Sequence, residues 1–316
     1  MEDRLLVTAS PHIRDHSTTR GLMGNVVIAL LPAVLASALI FGARALLLVV
    51  VTTFACVAFE YIYERLLHKP NTAGDLSAVV TGIILALNMP VGMPLWIAVV
   101  GAFVAIVITK QLFGGLGYNF ANPALVGRIV LFLGFTSRMT AYVYPDMSVD
   151  ALASATPLNA AVDLHSVSFV DMLLGIHGGM MGETCVIAIL LGLAYLLFTH
   201  TIEFTIPASI VGTMYVLTLL ATRDPYIALL DCMSGGLLFG AVFMATDYVT
   251  TPITGTGKLI FGLGCAVLTF VIREFANMPE GCSFSILLMN LLTPYIDKLT
   301  MTHPFGAKPA VKKEAK

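Results

Sequence analysis

Gly182-Glu-Thr-Cys-Val-Ile-Ala-Ile-Leu-Leu-Gly-Leu-Ala-Tyr-Leu-Leu-Phe198-Thr199 decides the fold. Beyond Glu183 this stretch carries no charged side chain. A helix that crosses a bilayer needs roughly 20 mostly apolar residues, and the run is close to that. It is not isolated. Similar segments have cores near 24–42, 45–64, 76–90, 94–111, 123–136, 206–222, 227–246, 258–275 and 283–297, which makes ten in all. The chain is 58% apolar and only 11% charged, with a mean hydropathy of +0.90. Soluble domains carry about 25% charged residues, so no water-soluble fold hides this much apolar surface. The runs lie inside the chain and repeat, which a signal peptide does not explain. Backbone groups must be satisfied within lipid, so the segments are predicted to be helices. They lack the alternation of barrel strands.

Working outward from the segments, the basic residues set the orientation. With the N-terminus in the cytoplasm, the inner side receives Arg4, Arg14, Arg20, Arg65, Lys69, Lys110, Lys258, Lys298 and the tail lysines. The outer side receives Arg44, Arg138, Arg223 and Arg273. This obeys the positive-inside rule. It predicts both termini in the cytoplasm and the polar loop 137–181 outside. The formal charge of -2 argues against nucleic acid as a partner.

A shift of 158 residues sets Gly21-Leu-Met-Gly24 on Gly179-Met-Met-Gly182, and Gly82 on Gly240. After a five-residue insertion Lys110 falls on Arg273. Five segments per half is an odd number, so the second half is predicted to be inverted, the usual architecture of ion-moving proteins. The expected organisation is a first repeat over 1–136, the outer loop over 137–181, a second repeat over 182–299 and a basic tail over 300–316. Segments three, five and ten are short or interrupted, at Asn88-Met-Pro90, before Pro123 and after Pro279. Broken helices are tolerated only beside protein or a water-filled cavity, which marks candidate sites.

The outer loop holds Asp150-Ala-Leu-Ala-Ser-Ala-Thr156-Pro157. Read alone, Ser154 to Pro157 is a turn or a helix start. A threonine hydroxyl is a weak nucleophile without a base beside it, so modification of Thr156 requires a separate enzyme. The five cysteines are widely spaced, which excludes a local Cys-x-x-Cys motif, and they read as structural. The seven histidines are scattered near segment ends and form no metal set. No phosphate-binding glycine loop follows a strand, so NADH is not expected to bind this chain.

Asp150-Ala-Leu-Ala-Ser-Ala-Thr156 resembles the flavin-transfer sequence Asp-Gly-x-Ser-Gly-Ala-Thr of the NqrB/RnfD family and its partners, membrane subunits of the sodium-pumping NADH:quinone oxidoreductase and of Rnf complexes. Ala151, Ala153 and Ser154 depart from it. Gly-Gly-Leu-Gly-Tyr-Asn119-Phe-Ala-Asn122-Pro123, Gly182-Glu183 with the run after it, and Met244-Ala-Thr-Asp247 resemble further motifs of that family. The short N-terminal arm favours the Rnf type over the quinone-reductase type. The resemblance implies FMN joined by a phosphoester to Thr156, with Ser154 as the competing attachment point, and an extracytoplasmic flavin transferase. It implies a second, noncovalent flavin, riboflavin, in the inner half of the bundle. It implies a member of an Rnf-type translocase that couples ferredoxin–NAD electron transfer to movement of Na+ or H+, inactive alone. Its partners would be the Rnf A, B, C, E and G subunits, above all the last, which carries a covalent flavin of its own, with membrane lipid around them. Alternatives are the B subunit of the quinone reductase, a cofactor-free channel or transporter, and a scaffold whose Thr156 is only a turn residue.

Three further candidates follow. Asn119 and Asn122 can both donate and accept, which suits a flavin edge; alternatively Asn122 caps a helix begun by Pro123. Arg128, within segment five, reads either as a structural ion pair or as a flavin-phosphate anchor. Asp247, followed by Thr250, Thr251 and Thr254, is a possible ligand on a Na+ path or part of a turn. Glu60 and Asp75 read as interfacial.

Overall fold

The computed structural model describes residues 18–69, 71–143, 168–276 and 281–301. Among them the regular structure is entirely helical. Thr18 caps α1 (Thr19–Phe41), its hydroxyl accepting from the Gly21 amide at 3.1 Å. The helix stops at Gly42, whose φ of 76° lies in the left-handed region. The chain reverses there into α2 (Ala43–Leu66). α1 is apolar on every side, with Leu35 and Leu39 exposed, as lipid contact requires.

α3 (Ser77–Leu87) differs in kind: almost all its residues are buried, among α1, α2 and α5. Eleven residues rise about 16 Å, roughly half the hydrocarbon thickness. α3 is therefore a half-helix in the protein interior. α4 (Leu95–Phe103) widens into a π-helical stretch, Val104–Gln111. Asn122 caps α5 (Pro123–Gly134), accepting from Ala124 at 3.0 Å and Leu125 at 3.4 Å, with Pro123 in the first turn. Two short helices follow, α6 (Thr136–Met139) and α7 (Phe169–Leu174).

After α7 the chain turns inward without helix. Gly182 donates to the Leu87 carbonyl at 2.8 Å and Met181 to that of Met89 at 3.3 Å, so this segment satisfies free carbonyls at the end of α3. A Cβ on Gly182 would lie 2.5 Å from that of Leu87, which only glycine avoids. The end of the predicted outer loop is thus packed into the core, and helix begins at Val186, later than the apolar pattern indicates.

α8 (Val186–Phe198) packs along α1, and α9 (Thr205–Thr222) along α12 (Gly255–Phe275). Between α9 and α12 lies a broken helix. α10 (Pro225–Met233), capped by Asp224, breaks at Ser234–Gly236 and resumes as α11 (Leu237–Phe239) and a second π-helical stretch, Gly240–Met244. The two arms meet at 62°. α13 (Gly281–Thr300) closes the bundle. All ten apolar segments coincide with helix. By length and apolarity alone four of these helices can cross a membrane, or five with the bent pair, and the remaining segments are shorter or less apolar.

Candidate functional site

Thr156 and Ser154, with the predicted flavin-transfer sequence, lie outside the described residues. The other predicted positions are described, and the fold brings three of them together. Asn119, Asn122 and Asp247 line one partly open cavity of about 70 Å³, walled by Val80, Ile84 and Phe243. That is room for about five waters.

Asn122 is fully used by the fold. Its Oδ1 caps α5, and its Nδ2 donates to the Met244 carbonyl at 3.3 Å, tying α5 to the second π-helical stretch. Asn119 is not. Its Nδ2 donates to the Ala121 carbonyl at 3.0 Å, but its Oδ1 is buried without a partner. An orphaned acceptor costs about 1–3 kcal/mol, and a ligand donor would remove that cost. Asp247 accepts from the Thr250 hydroxyl at 3.2 Å through Oδ2 and from the Thr251 hydroxyl at 2.9 Å through its carbonyl. Thr254 instead caps α12, accepting from Gly257 at 3.0 Å. The hydroxyl run is therefore a hydrogen-bonded turn with one carboxylate on the cavity wall.

Arg128 sits elsewhere, 1% exposed in the centre of the bundle. Its Nη2 lies 2.7 Å from Glu183 Oε1, and Nη1 donates to Asn88 Oδ1 at 2.7 Å. Asn88 is the C-cap of α3, and its Nδ2 donates to the Ile84 carbonyl at 2.7 Å. Gly236, at the α10–α11 break, packs on the same pair: a Cβ there would fall 2.6 Å from Glu183 Oε1 and 3.1 Å from Arg128 Nη1. The pair therefore joins the end of α3 to the start of α11.

Two more ion pairs are buried. Lys110 Nζ lies 2.6 Å from Glu60 Oε1 and donates to Ser77 Oγ at 2.5 Å. Arg273 Nη1 lies 2.9 Å from Asp231 Oδ1, and Nη2 donates to the Ser234 carbonyl at 3.1 Å, in the break after α10. Glu60 is 0% exposed, which overturns its reading as an interfacial residue. Asp75 is half-buried and organises the turn into α3, accepting from the Ser77 amide at 2.8 Å. Lys110 and Arg273, assigned by the charge bias to the inner and outer sides, are pair members at segment ends. Sequence reading misses Glu183 and Asp231 as partners. The available signal is a carboxylate beside or within an apolar segment, because such a charge persists only when paired. All five cysteines are free thiols, four of them buried.

These features define a polytopic helical membrane protein with internally paired charges and broken helices around an inner cavity. The profile of the NQR2, RnfD, RnfE family matches residues 6–306, and the chain belongs to that family. It is 43% identical over 320 residues to the D subunit of the Na(+)-translocating ferredoxin:NAD(+) oxidoreductase complex of Acetobacterium woodii, covering 100% of this chain and 99% of the relative. It is 38% identical over 322 residues to the D subunit of the proton-translocating ferredoxin:NAD(+) oxidoreductase complex of Clostridium ljungdahlii, covering 96% of each. It is 37% identical over 328 residues to the D subunit of the ion-translocating oxidoreductase complex of Stutzerimonas stutzeri, covering 92% of this chain and 93% of the relative.

Proposed function

We propose that this chain is the RnfD component of an Rnf-type translocase. It relays electrons within the membrane while the assembly couples ferredoxin–NAD electron transfer to movement of Na+ or H+. Full-length similarity to relatives so named supports the assembly. The observation that carries the relay role is the unpartnered Asn119 Oδ1 on an apolar-walled cavity.

Two flavins belong to this reading: FMN on Thr156 in the extracytoplasmic loop, with Ser154 as the competing hydroxyl, and a noncovalent riboflavin at the Asn119 cavity. A bound flavin supplies one- and two-electron redox chemistry. The lining suits the second flavin: Asn119 Oδ1 would accept from a ring N–H, and Val80, Ile84 and Phe243 would shield the ring from water. The cavity, about 70 Å³, is smaller than a tricyclic ring, so binding there would require its walls to part. Asn122 serves by holding α5 against Met244. For Arg128 the ion-pair reading has the support, since Glu183 and Asn88 engage its guanidinium. Asp247, on the wall of the same cavity, is the candidate for the ion path.

The inverted repeat belongs to the same proposal. Lys110 closes a carboxylate and a serine at the start of α3, and Arg273 closes a carboxylate and a serine carbonyl at the α10 break. A π-helical stretch occurs in each half. The basic-residue bias supports cytoplasmic termini, with the Rnf A, B, C, E and G subunits as neighbours and a flavin transferase acting on the outer loop.

The test is flavin content of the purified full chain. A fluorescent band on a denaturing gel is expected, lost in Thr156→Ala and kept in Ser154→Ala. Acid extraction should release a second flavin from the wild type but not from Asn119→Ala. A chain without any flavin would overturn the relay and favour a cofactor-free channel or transporter. Quinone reduction by the assembled complex would favour the quinone-reductase type.

A further inference from the structure

We propose that the cavity at the α8–α9 turn seats the hydroxylated side chain of the noncovalent flavin, and that Glu203 there excludes a flavin whose side chain ends in phosphate. This rests on the flavin reading above, to which it adds the seat of the side chain and the choice of riboflavin over FMN.

The first observation is position. A cavity of about 140 Å³ lies at the turn between α8 and α9, against Lys258 in the first turn of α12. Ile202, Thr246 and Tyr248 line it, and the same three residues line the Asn119 cavity. They are the shared wall. A ring held by Asn119 requires walls to part, and parting at this wall joins the two spaces. The Asn119 side is walled by Val80, Ile84 and Phe243, whereas the second cavity adds Glu203, Thr251 and Lys258. A flavin is divided in the same way, with an apolar ring and a side chain of hydroxyls.

The second observation is where the hydroxyl protons go. Thr246 donates to the Val242 carbonyl at 2.6 Å, Thr251 to the Asp247 carbonyl at 2.9 Å, and Tyr248 to the Thr201 carbonyl. A hydroxyl has one proton and two lone pairs. With each proton committed to the backbone, these three oxygens can only accept from a ligand. The Glu203 carboxylate is likewise an acceptor. Such a lining takes O–H donors. A polyol supplies them, and a phosphate at about -1.5 to -2 charge near pH 7 largely lacks them.

The third observation is charge. Lys258 Nζ lies 2.7 Å from Glu203 Oε1, so the ammonium on the cavity wall is already matched. His200 also lines the cavity, and Asp247 adds a carboxylate on the far side of the shared wall. A helix N-terminus favours phosphate through free amides. At the start of α12, however, the Gly257 amide is taken by the Thr254 hydroxyl at 3.0 Å and the Lys258 amide by the Thr254 carbonyl at 2.9 Å. A phosphate therefore enters beside a like charge and gains Lys258 only by breaking its pair. Neutralising Glu203 reverses this, because Lys258 then meets the phosphate unmatched. Glu203 thus sets specificity by repulsion, which lowers the affinity of the wrong ligand without a new contact to the right one.

The test is the identity of the noncovalent flavin in the purified full chain. The protein is equilibrated with riboflavin and FMN in equal excess, desalted and acid-extracted, and the released flavins are separated by chromatography. A phosphoester-linked flavin stays on the protein and is not counted. The wild type should hold riboflavin over FMN by at least about tenfold. Glu203→Gln should raise the FMN-to-riboflavin ratio at least about tenfold, and adding Lys258→Met should remove that gain. Glu203→Asp should keep the exclusion. Glu203 is 62% exposed, so these variants should keep the wild-type Tm. The rise in Tm on adding each free flavin should give the same ranking. A Glu203→Gln protein with the wild-type ratio would overturn the proposal, as would a wild type that takes both flavins equally. Bound riboflavin in either case leaves the flavin reading standing. A wild type that binds neither flavin would overturn that reading and the proposal with it.

Discussion

The pair between Arg128 and Glu183 gives the sharpest stability prediction. Both side chains are at least 97% buried, and their closest atoms are 2.7 Å apart. Removing Glu183 takes the 2.7 Å carboxylate away from a guanidinium in the bundle centre that also donates to Asn88. Breaking a buried ion pair by removing one partner costs about 3–5 kcal/mol, whereas replacing both partners with apolar side chains is close to neutral. Arg128→Met and Glu183→Met should therefore each destabilise by about 3–5 kcal/mol, and the double variant by about 0–2 kcal/mol. The coupling between the sites would then be several kcal/mol. Apparent Tm of the purified chain in a fixed detergent, followed by thermal precipitation, reads this out as a drop of about 5–10 °C for each single variant and recovery in the double. Additive losses would refute the argument, because they would mean that the two charges do not neutralise one another. Gly236→Ala should resemble the single variants, since its Cβ would enter the same 2.6 Å space and push Glu183 aside.

Three other outcomes follow. Gly182→Ala places a methyl group 2.5 Å from the Leu87 Cβ and should cost about 1–3 kcal/mol through displaced backbone, visible as a lower Tm with unchanged flavin content. His177 lies between α7 and α8, where burial lowers its pKa to about 4 against a smaller opposing effect of Asp171. The folded state binds the proton more weakly than the unfolded chain, so stability is full above about pH 6.5 and falls as pH drops toward 4. His177→Gln should flatten that decline in a Tm-versus-pH series, and an unchanged slope would show that another group titrates. Asn119→Asp should deprive the cavity of the Nδ2 bond to Ala121 and repel Asp247, so a loss of the extractable flavin without loss of the Thr156-linked band is expected.

The sequence pattern locates the long apolar helices because lipid and core both demand apolar side chains, but it leaves the short α6 and α7 within or at the edge of the predicted outer loop. It does not separate α1, which faces lipid, from α3, which is interior, since both read as continuous apolar runs. Only the flanks distinguish them: Asp75 and Asn88 bracket α3 with groups that terminate a helix inside the protein. At the site, Asn119, Asn122 and Asp247 are legible individually because amides and a carboxylate stand out against apolar neighbours. Their convergence is not, because Asp247 reaches the cavity through the second π-helical stretch, in the other half of the chain. Glu60 is misread because its sequence neighbours include Tyr61, Tyr63 and Arg65, which suit an interface, while its partner Lys110 lies 50 residues away.

The three buried ion pairs share one cause. Each stands where a helix stops short inside the bundle: Lys110 with Glu60 beside the start of α3, Arg128 with Glu183 between the end of α3 and the start of α11, and Arg273 with Asp231 at the end of α10. Helix ends carry free amides and carbonyls that lipid cannot satisfy. A charged side chain can satisfy such groups, as Arg273 does for the Ser234 carbonyl, and must then be neutralised by a second charge. Breaking helices inside the membrane thus brings charges with it, and the charges come in pairs.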